Sequence, residues 1–92
     1  MKIYIGHSRE FDFQKELYTP IRESALSTLH EIILPHEKSE QPANTPERLQ
    51  QYDLFVAEVT FPSTGLGIEL GWANLLRLPI ICIYKKGARY SN

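Results

Sequence analysis

The sequence has few of the residues that mark a disulfide-bonded, metal-binding or membrane protein. Its single cysteine, Cys82, stands inside the apolar run PIICIY, and its three histidines are spread out along the chain. This pattern offers no disulfide framework and no compact Cys/His metal motif, so we predict that Cys82 is a small core residue. No apolar run is long enough to span a bilayer, and the first residues lack the apolar centre of a signal peptide. We expect a cytoplasmic protein without a metal.

The sequence also lacks an excess of either charge. Ten basic and eleven acidic side chains give a formal net charge of −1, which supplies no general attraction for a nucleic acid polymer or an acidic membrane. A hydrophobic content of 42% is ordinary for a globular protein. Ninety-two residues fit one domain, residues 1–92, near the size at which a single core is only just adequate. A homodimer is therefore expected as a source of further stability.

Four apolar segments are predicted to be strands: residues 2–5, 31–34, 53–59 and the segment that starts at Pro79. The third has little polar alternation, which is typical of a strand covered on both faces. Helical patterns separate these strands. Strands that alternate with helices predict a three-layer α/β domain of the flavodoxin-like type, with a parallel sheet of at least four strands.

Three helices are predicted between the strands. The first has apolar residues every four positions, and we expect Pro20 to kink or split it. A short second helix begins at Thr45, which is followed by Pro46 and Glu47 as a cap, a first-turn proline and an early acid. Trp72 of the third is predicted to lie in the core or an interface, with a nucleobase pocket as the alternative. The apolar faces are Phe13, Leu17, Ile21, Ala25 and Leu29 in the first helix, and Ile68, Trp72, Leu75 and Leu76 in the third.

Polar or glycine-rich segments follow three of the predicted strands. They are Gly6 to Arg9, Pro35-His36, and Thr60 to Gly67. Ligands of open parallel sheets bind at the carboxyl ends of the strands, so we expect these segments to gather at one edge.

The segment PSTGLGIELG between the third strand and the third helix permits two interpretations. It could simply turn the chain, with Glu69 as a first-turn acid that the helix dipole favours. Alternatively, Ser63, the amides of Gly65 and Gly67, and the helix N-terminus could form an anion pocket. The segment is not a P-loop, because no Gly-Lys-Ser/Thr follows, and Leu70 stands where a dinucleotide fingerprint has its third glycine.

The longer run QQYDLFVAEVTFPSTGLGIELG is more specific. It resembles the nucleoside 2-deoxyribosyltransferase superfamily, and most closely the branch of deoxynucleoside 5′-monophosphate N-glycosidases. The motif is a strand that ends in AEV, then a serine, a Gly-x-Gly and a Glu-Leu-Gly. A weaker match is Gly6 with Arg9, and His36 resembles a histidine that the family places near its substrate. The motif residues here are Ala57-Glu58-Val59, Ser63, Gly65-Leu66-Gly67 and Glu69-Leu70-Gly71.

The resemblance implies a site and a chemistry. Glu69 would be the nucleophile that attacks the anomeric carbon and forms a glycosyl-enzyme ester, as in retaining glycosidases. It implies a nucleoside or nucleotide as ligand, no cofactor and no metal. Ser91 corresponds to a serine that reaches into the phosphate site of a neighbouring subunit, which again implies a homodimer. The phosphate-binding residues would be Gly6, Arg9, His36, Ser63, Gly65 and Gly67.

The sequence departs from the family in three places. Thr45 stands where the family has an aspartate that protonates the leaving base, and Glu47, Asp53 and Glu58 are the possible replacements. Ile3 stands at an aromatic position of the first strand, and Tyr4 would point to the opposite face. The chain also ends earlier than family members, as a minimal or a shortened member would.

Two other functions remain open. One is a nucleotide-binding or sensing module on the same fold, which the threonine at position 45 favours. The other is a structural protein in which the glycine-rich segment is only a turn. The base, the sugar and the choice between hydrolysis and transfer are not specified by the sequence.

Overall fold

The computed structural model describes residues 1–37, 45–61 and 63–84. One sheet of four parallel strands forms the centre of this part of the chain, with the order β2-β1-β3-β4. This is the order in which flavodoxin-like sheets begin, and it confirms the predicted fold class. The strands are β1 (Lys2–His7), β2 (Glu31–Ile33), β3 (Leu54–Glu58) and β4 (Ile80–Ile83).

Helices cover both faces of the sheet because successive strand residues point to opposite sides. On one face, Ile3 and Ile5 pack against Leu17 and Tyr18 from a π-helical turn (Gln14–Tyr18), which continues into α1 (Thr19–Glu23). On the other face, Tyr4 belongs to a second cluster that contains α3 (Pro46–Leu49) and α4 (Thr64–Leu75). A further short helix, α2 (Leu26–Leu29), precedes β2.

The predicted first helix is split, although not at Pro20. Its break is Ser24, whose backbone is extended with φ −83° and ψ 161°. Pro20 lies directly after the point where the π-helical turn passes into α1, so the helix changes type near the proline but does not break there. The predicted apolar face therefore ends at Ile21, and Leu29 is 71% exposed.

The helix after β3 begins earlier than expected. Ser63 is its N-cap and Thr64 its first residue, so the glycines at 65 and 67 lie inside α4 and not in a loop. Its buried face was predicted correctly in part. Trp72 and Leu76 pack against the buried cluster, as expected, but Ile68 and Leu75 are exposed whereas Leu66 and Ala73 are buried. Apolar side chains occur around the whole circumference of this helix, so their spacing does not identify one buried side.

Strand β4 forms an edge of the sheet. Ile81, Cys82 and Ile83 are all exposed there, so the prediction of Cys82 as a core residue is wrong. An apolar run predicted burial, but an edge strand gains cover only if other elements pack on its faces. Within the described ranges, no helix is long and apolar enough to cross a membrane.

Gly6 allows α4 to approach the sheet closely. A Cβ atom at this position would lie 2.7 Å from the ring of Phe55 and 2.8 Å from Cδ1 of Leu66. Both neighbours belong to the buried cluster between the sheet and α4. The structural reason for a glycine at position 6 is therefore packing on the side of the sheet that carries Glu69.

We predict that Gly6→Ala lowers the free energy of unfolding by about 1–3 kcal/mol, the usual range for overpacking a core. Urea denaturation would measure the change. Gly67→Ala is the matched control, because a Cβ at Gly67 meets nothing within 4 Å. In a helix interior the same substitution should raise stability by up to about 1 kcal/mol. Equal effects of the two changes would contradict the assigned role of Gly6.

Candidate active site

A cavity of ≈ 560 Å³ lies at the carboxyl edge of the sheet. The segment after β1 and the start of α4 form it together, because β1 and β3 are adjacent strands and the chains that leave them meet. The structure thus brings Arg9, Ser63 and Gly65 together, as the sequence suggested. The lining residues are Ser8, Arg9, Glu10, Ser63, Thr64 and Gly65.

This cavity, which we call the anion cavity, has several hydrogen-bond donors, although the acidic Glu10 also lines it. The Ser63 hydroxyl oxygen accepts from the N–H of Leu66 at 3.2 Å, and the Ser8 oxygen accepts from the N–H of Glu10 at 3.0 Å. The Ser63 hydroxyl keeps its own hydrogen for a ligand, whereas the Ser8 side chain is fully buried. The N–H of Gly65 lies in the first turn of α4, where no intrahelical acceptor exists. Together with Arg9, these groups suit an anion.

The sequence interpretation gave the amide of Gly67 to the anion, but the structure gives it another partner. Its N–H donates to the Ser63 carbonyl at 3.0 Å, so this amide belongs to the helix. The space around its Cα is open. Ser91 lies outside the described residues.

Glu69 is paired with a buried tyrosine. The Tyr4 hydroxyl donates to Oε2 of Glu69 at 2.7 Å, and the Tyr4 ring stacks on Tyr52 with 5.1 Å between centroids. Burial, and then the negative charge of Glu69, raise the pKa of Tyr4 above its ordinary value, so the hydroxyl remains a donor at neutral pH. The pair places a fixed donor on the carboxylate.

Glu69 occupies the second turn of α4, so its expected place in the first turn is wrong. It follows Ser63 by six positions, or about 9 Å along the helix axis. Gly65 and Glu69 are four positions apart in the helix and therefore share one helix face. The anion cavity and the carboxylate consequently lie along the same side of α4.

Tyr4 was the residue that the sequence interpretation missed. Ile3, at the expected aromatic position, packs in the cluster on the opposite face of the sheet. Tyr4 shares its face with Phe55 and with Leu66 of α4. The alternation of side chains along a strand correctly places Ile3 and Tyr4 on opposite faces of the sheet. The sequence did not show on which of these faces α4 packs.

The possible replacements for the missing aspartate lie in different places. Oδ2 of Asp53 accepts from the backbone N–H of Lys2 at 2.7 Å, at the amino edge of the sheet. Glu58 is buried on the face away from α4, and its Oε1 accepts from the N–H of Thr60 at 2.6 Å. Thr45 caps α3 by accepting from the N–H of Arg48 at 3.2 Å. Of the three acids, Glu47 alone lies on a helix that packs against α4.

His36 is fixed next to the anion cavity. Nη2 of Arg9 donates to its Nδ1 at 3.3 Å. Its backbone is held at both ends, because its N–H donates to the Tyr18 hydroxyl and its carbonyl accepts from the Gln14 side chain, each at 3.0 Å. Burial, and then the positive charge of Arg9, lower the pKa of His36.

His7 was predicted to lie in a loop, but it is the last residue of β1 and is buried. Its ring nitrogens contact the Ser8 carbonyl at 2.7 Å and the Tyr18 hydroxyl at 2.6 Å. Burial lowers the pKa of His7, although the Ser8 carbonyl and the charges of Glu69 and Glu58 oppose the shift. Burial also raises the pKa of Tyr18 to about 12, so its hydroxyl is protonated at neutral pH.

The fold places this site where open parallel α/β sheets bind their ligands. It lies at the carboxyl edge of two adjacent strands, beside a helix N-terminus that favours anions.

Comparison with known proteins gives a narrower result. No family model matches the chain. It is 57% identical over 37 residues to the 5-hydroxymethyl-dUMP N-hydrolase of Rattus norvegicus, which covers 40% of this chain and 23% of that protein. The human protein of the same name is 51% identical over 39 residues, covering 42% and 22%. A Methanosarcina barkeri protein named "Putative 2′-deoxynucleoside 5′-phosphate N-hydrolase 1" is 44% identical over 43 residues, covering 47% and 27%.

These similarities confirm the resemblance to the N-glycosidase branch over a segment of 37 to 43 residues. The matched segment spans about a quarter of the length of these curated relatives.

We predict that the free energy of unfolding falls between pH 7.5 and pH 5.5. Both His7 and His36 have lowered pKa values in the folded protein, so below the unfolded pKa of about 6.5 the unfolded chain binds more protons. Their stabilising contribution is complete above that pH and is lost as the pH falls through the lowered values. Urea denaturation at the two pH values measures the loss, which should be smaller in His7→Asn. Equal or greater stability at pH 5.5 would contradict the assignment.

Proposed function

We propose that this chain cleaves the N-glycosidic bond of a 2′-deoxynucleoside 5′-monophosphate, with Glu69 as the nucleophile. The observation that carries the proposal is the Tyr4–Glu69 hydrogen bond on the same face of α4 as the anion cavity. The names of the relatives support it, because they describe N-hydrolases of 5′-monophosphates.

The anion cavity is the proposed phosphate subsite. Arg9, the hydroxyl of Ser63 and the Gly65 amide would donate to the phosphate oxygens, and His36 would act at the rim through Arg9. Charge-assisted hydrogen bonds of this kind are the stronger ones in proteins. A phosphate held at the start of α4 would direct the attached sugar along the helix face towards Glu69.

The proposed reaction has two steps. In the first, an oxygen of the Glu69 carboxylate attacks C1′ of the deoxyribose while the C1′–N bond breaks, and the electron pair leaves with the base nitrogen, which takes up a proton. In the second, water attacks C1′ while the bond from C1′ to the Glu69 oxygen breaks, and the proton of the water passes to the group that protonated the base. The carboxylate and 2-deoxyribose 5-phosphate are released. If the enzyme transferred the sugar instead, a second nucleobase would attack C1′ in place of water. Neither step requires a metal or an organic cofactor, because the nucleophile and the electrostatic environment come from the protein.

Tyr4 would hold the Glu69 carboxylate in position for attack on C1′, because its hydroxyl donates to Oε2. Glu47 is the proposed proton donor to the leaving base, because Asp53 and Glu58 are engaged at other places in the sheet.

A nucleotide-binding or sensing module is the second candidate function. Thr45 favours it, because this residue caps α3 at the position where the family has its acid, and a threonine cannot supply a proton of that kind. The anion cavity would then hold the nucleotide and Glu69 would contact the sugar without turnover.

The proposed ligand is a free nucleotide or nucleoside and not a nucleic acid polymer. We also propose a cytoplasmic homodimer, in which Ser91 of one subunit reaches the phosphate subsite of the other. The small size of the core supports this assembly.

We predict that the wild type releases free nucleobase from at least one 2′-deoxynucleoside 5′-monophosphate and that Glu69→Gln does not. The substitution keeps the size of the side chain but removes the anionic nucleophile. Each deoxynucleoside and its monophosphate would be incubated with both proteins, and the free base quantified by chromatography. Release that persists in Glu69→Gln would exclude this nucleophile. Nucleotide binding without release by the wild type would establish the binding module instead.

We predict that Tyr4→Phe lowers the rate constant of base release by roughly 10–100-fold, because a carboxylate that is no longer held in the attack geometry reacts more slowly. Tyr52→Phe is the matched control. It makes the same change in the other ring of the stacked pair and leaves the hydrogen bond from Tyr4 to Glu69 in place. An equal loss in both variants would show that the rings act through packing and not through the hydroxyl.

A further inference from the structure

A chain of hydrogen bonds crosses the face of the sheet opposite Glu69. It runs from the backbone N–H of His36 to the Tyr18 hydroxyl, on to the ring of His7, and ends at the Ser8 carbonyl. Both side chains in it are buried, with exposed fractions of 7% for His7 and 3% for Tyr18. The chain connects the segment after β2 with the segment after β1.

The chemistry of the partners fixes the direction of each bond. The Ser8 carbonyl can only accept, so Nδ1 of His7 must carry a hydrogen. The neutral ring then has an unprotonated Nε2, which accepts from the Tyr18 hydroxyl. Tyr18 can donate in this direction because its oxygen accepts from the His36 N–H. The neutral Nδ1–H tautomer of His7 therefore satisfies every member of the chain.

The Ser8 carbonyl is the point at which this chain reaches the anion cavity. Ser8 is 2% exposed, and its hydroxyl oxygen holds the N–H of Glu10. The peptide bond is planar and trans, so a carbonyl that points to His7 turns the N–H of Arg9 away from it. His7 thus sets the orientation of the peptide that leads into Arg9.

The other end of the chain reaches the same arginine. Tyr18 accepts from the His36 N–H, and the His36 ring accepts from Nη2 of Arg9 at 3.3 Å. Arg9 is therefore oriented from its backbone by His7 and from its guanidinium group by His36. The Tyr18 hydroxyl contacts both histidines.

We propose that His7 and Tyr18 are positioning residues of the phosphate subsite, which hold the Ser8–Arg9 peptide and the Arg9 side chain in the geometry that receives the anion. The inference rests on the proposed function for the identity of the anion. Neither residue needs to touch the ligand.

The test measures the binding of inorganic phosphate by isothermal titration calorimetry at pH 7.5 and fixed ionic strength. His7→Phe keeps a planar ring but removes both nitrogens, and Tyr18→Phe removes only the hydroxyl. Each should weaken phosphate binding by about tenfold, which corresponds to the loss of about one hydrogen bond. His7→Asn keeps a donor near the Nδ1 position and should restore most of the affinity. The variant that combines His7→Phe with Tyr18→Phe should bind phosphate no more weakly than His7→Phe alone, because the two residues act in one chain of hydrogen bonds.

Ile32→Val controls for a general loss of stability. Ile32 belongs to the same buried cluster as Tyr18 but has no part in the hydrogen-bond chain, so its substitution should lower the unfolding midpoint and leave phosphate affinity unchanged. Nitrogen-15 NMR of the His7 ring gives an independent readout. The wild type should show the Nδ1–H tautomer, because the Ser8 carbonyl accepts from Nδ1.

Weaker binding in His7→Phe and Tyr18→Phe, with recovery in His7→Asn, would support the inference. Unchanged affinity in the two phenylalanine variants would overturn it while the proposed phosphate subsite stands. An Nε2–H tautomer of His7 in the wild type would also overturn it. If the wild type binds no phosphate, both the phosphate subsite and the inference fail, whereas base release from unphosphorylated deoxynucleosides would still test Glu69.

Discussion

The adjacency of β1 and β3 is the constraint on which the candidate site depends. A strand order that places the first and third strands side by side makes their following segments neighbours at one edge of the sheet. The segment from β1 brings Ser8 and Arg9, and the segment from β3 brings the N-cap Ser63 and the start of α4. Neither segment alone has enough donors for a phosphate. Pairing of the two strands along five residue positions holds both segments at a fixed separation.

The sheet divides the site into two kinds of support. Towards α4, Tyr4 contacts the carboxylate directly, and Gly6 lets the helix that carries Glu69 lie close to β1. Towards the π-helical turn, His7 and Tyr18 form hydrogen bonds to the segments that follow β1 and β2. Because alternate residues of β1 point to opposite faces, one strand supplies both kinds of support within four residues.

Much of the fold followed from local sequence patterns, and so did the gathering of Arg9, Ser63 and Gly65. Strand runs and strand-helix alternation depend on short-range chemistry, which the sequence displays directly. The wrong predictions concern which elements pack against each face of the sheet. Cys82 is exposed because β4 is an edge strand, and Tyr4 reaches Glu69 because α4 covers its face of the sheet. The sequence of one strand does not contain either fact. The start of α4 was misjudged because the glycines suggested a loop, whereas Ser63 caps a helix that includes them.

The segment after β2 is clamped by one side of the helical region before it. Gln14, Tyr18 and Arg22 follow each other at four-residue intervals, and they bind the His36 carbonyl, the His36 N–H and the Glu37 carboxylate respectively. Both backbone groups of His36 are thus occupied, although the residue belongs to no strand or helix. Its amide hydrogen should exchange with deuterated solvent as slowly as one in a sheet. The turn that contains His36 would then open only when its hydrogen bonds to the helical region break.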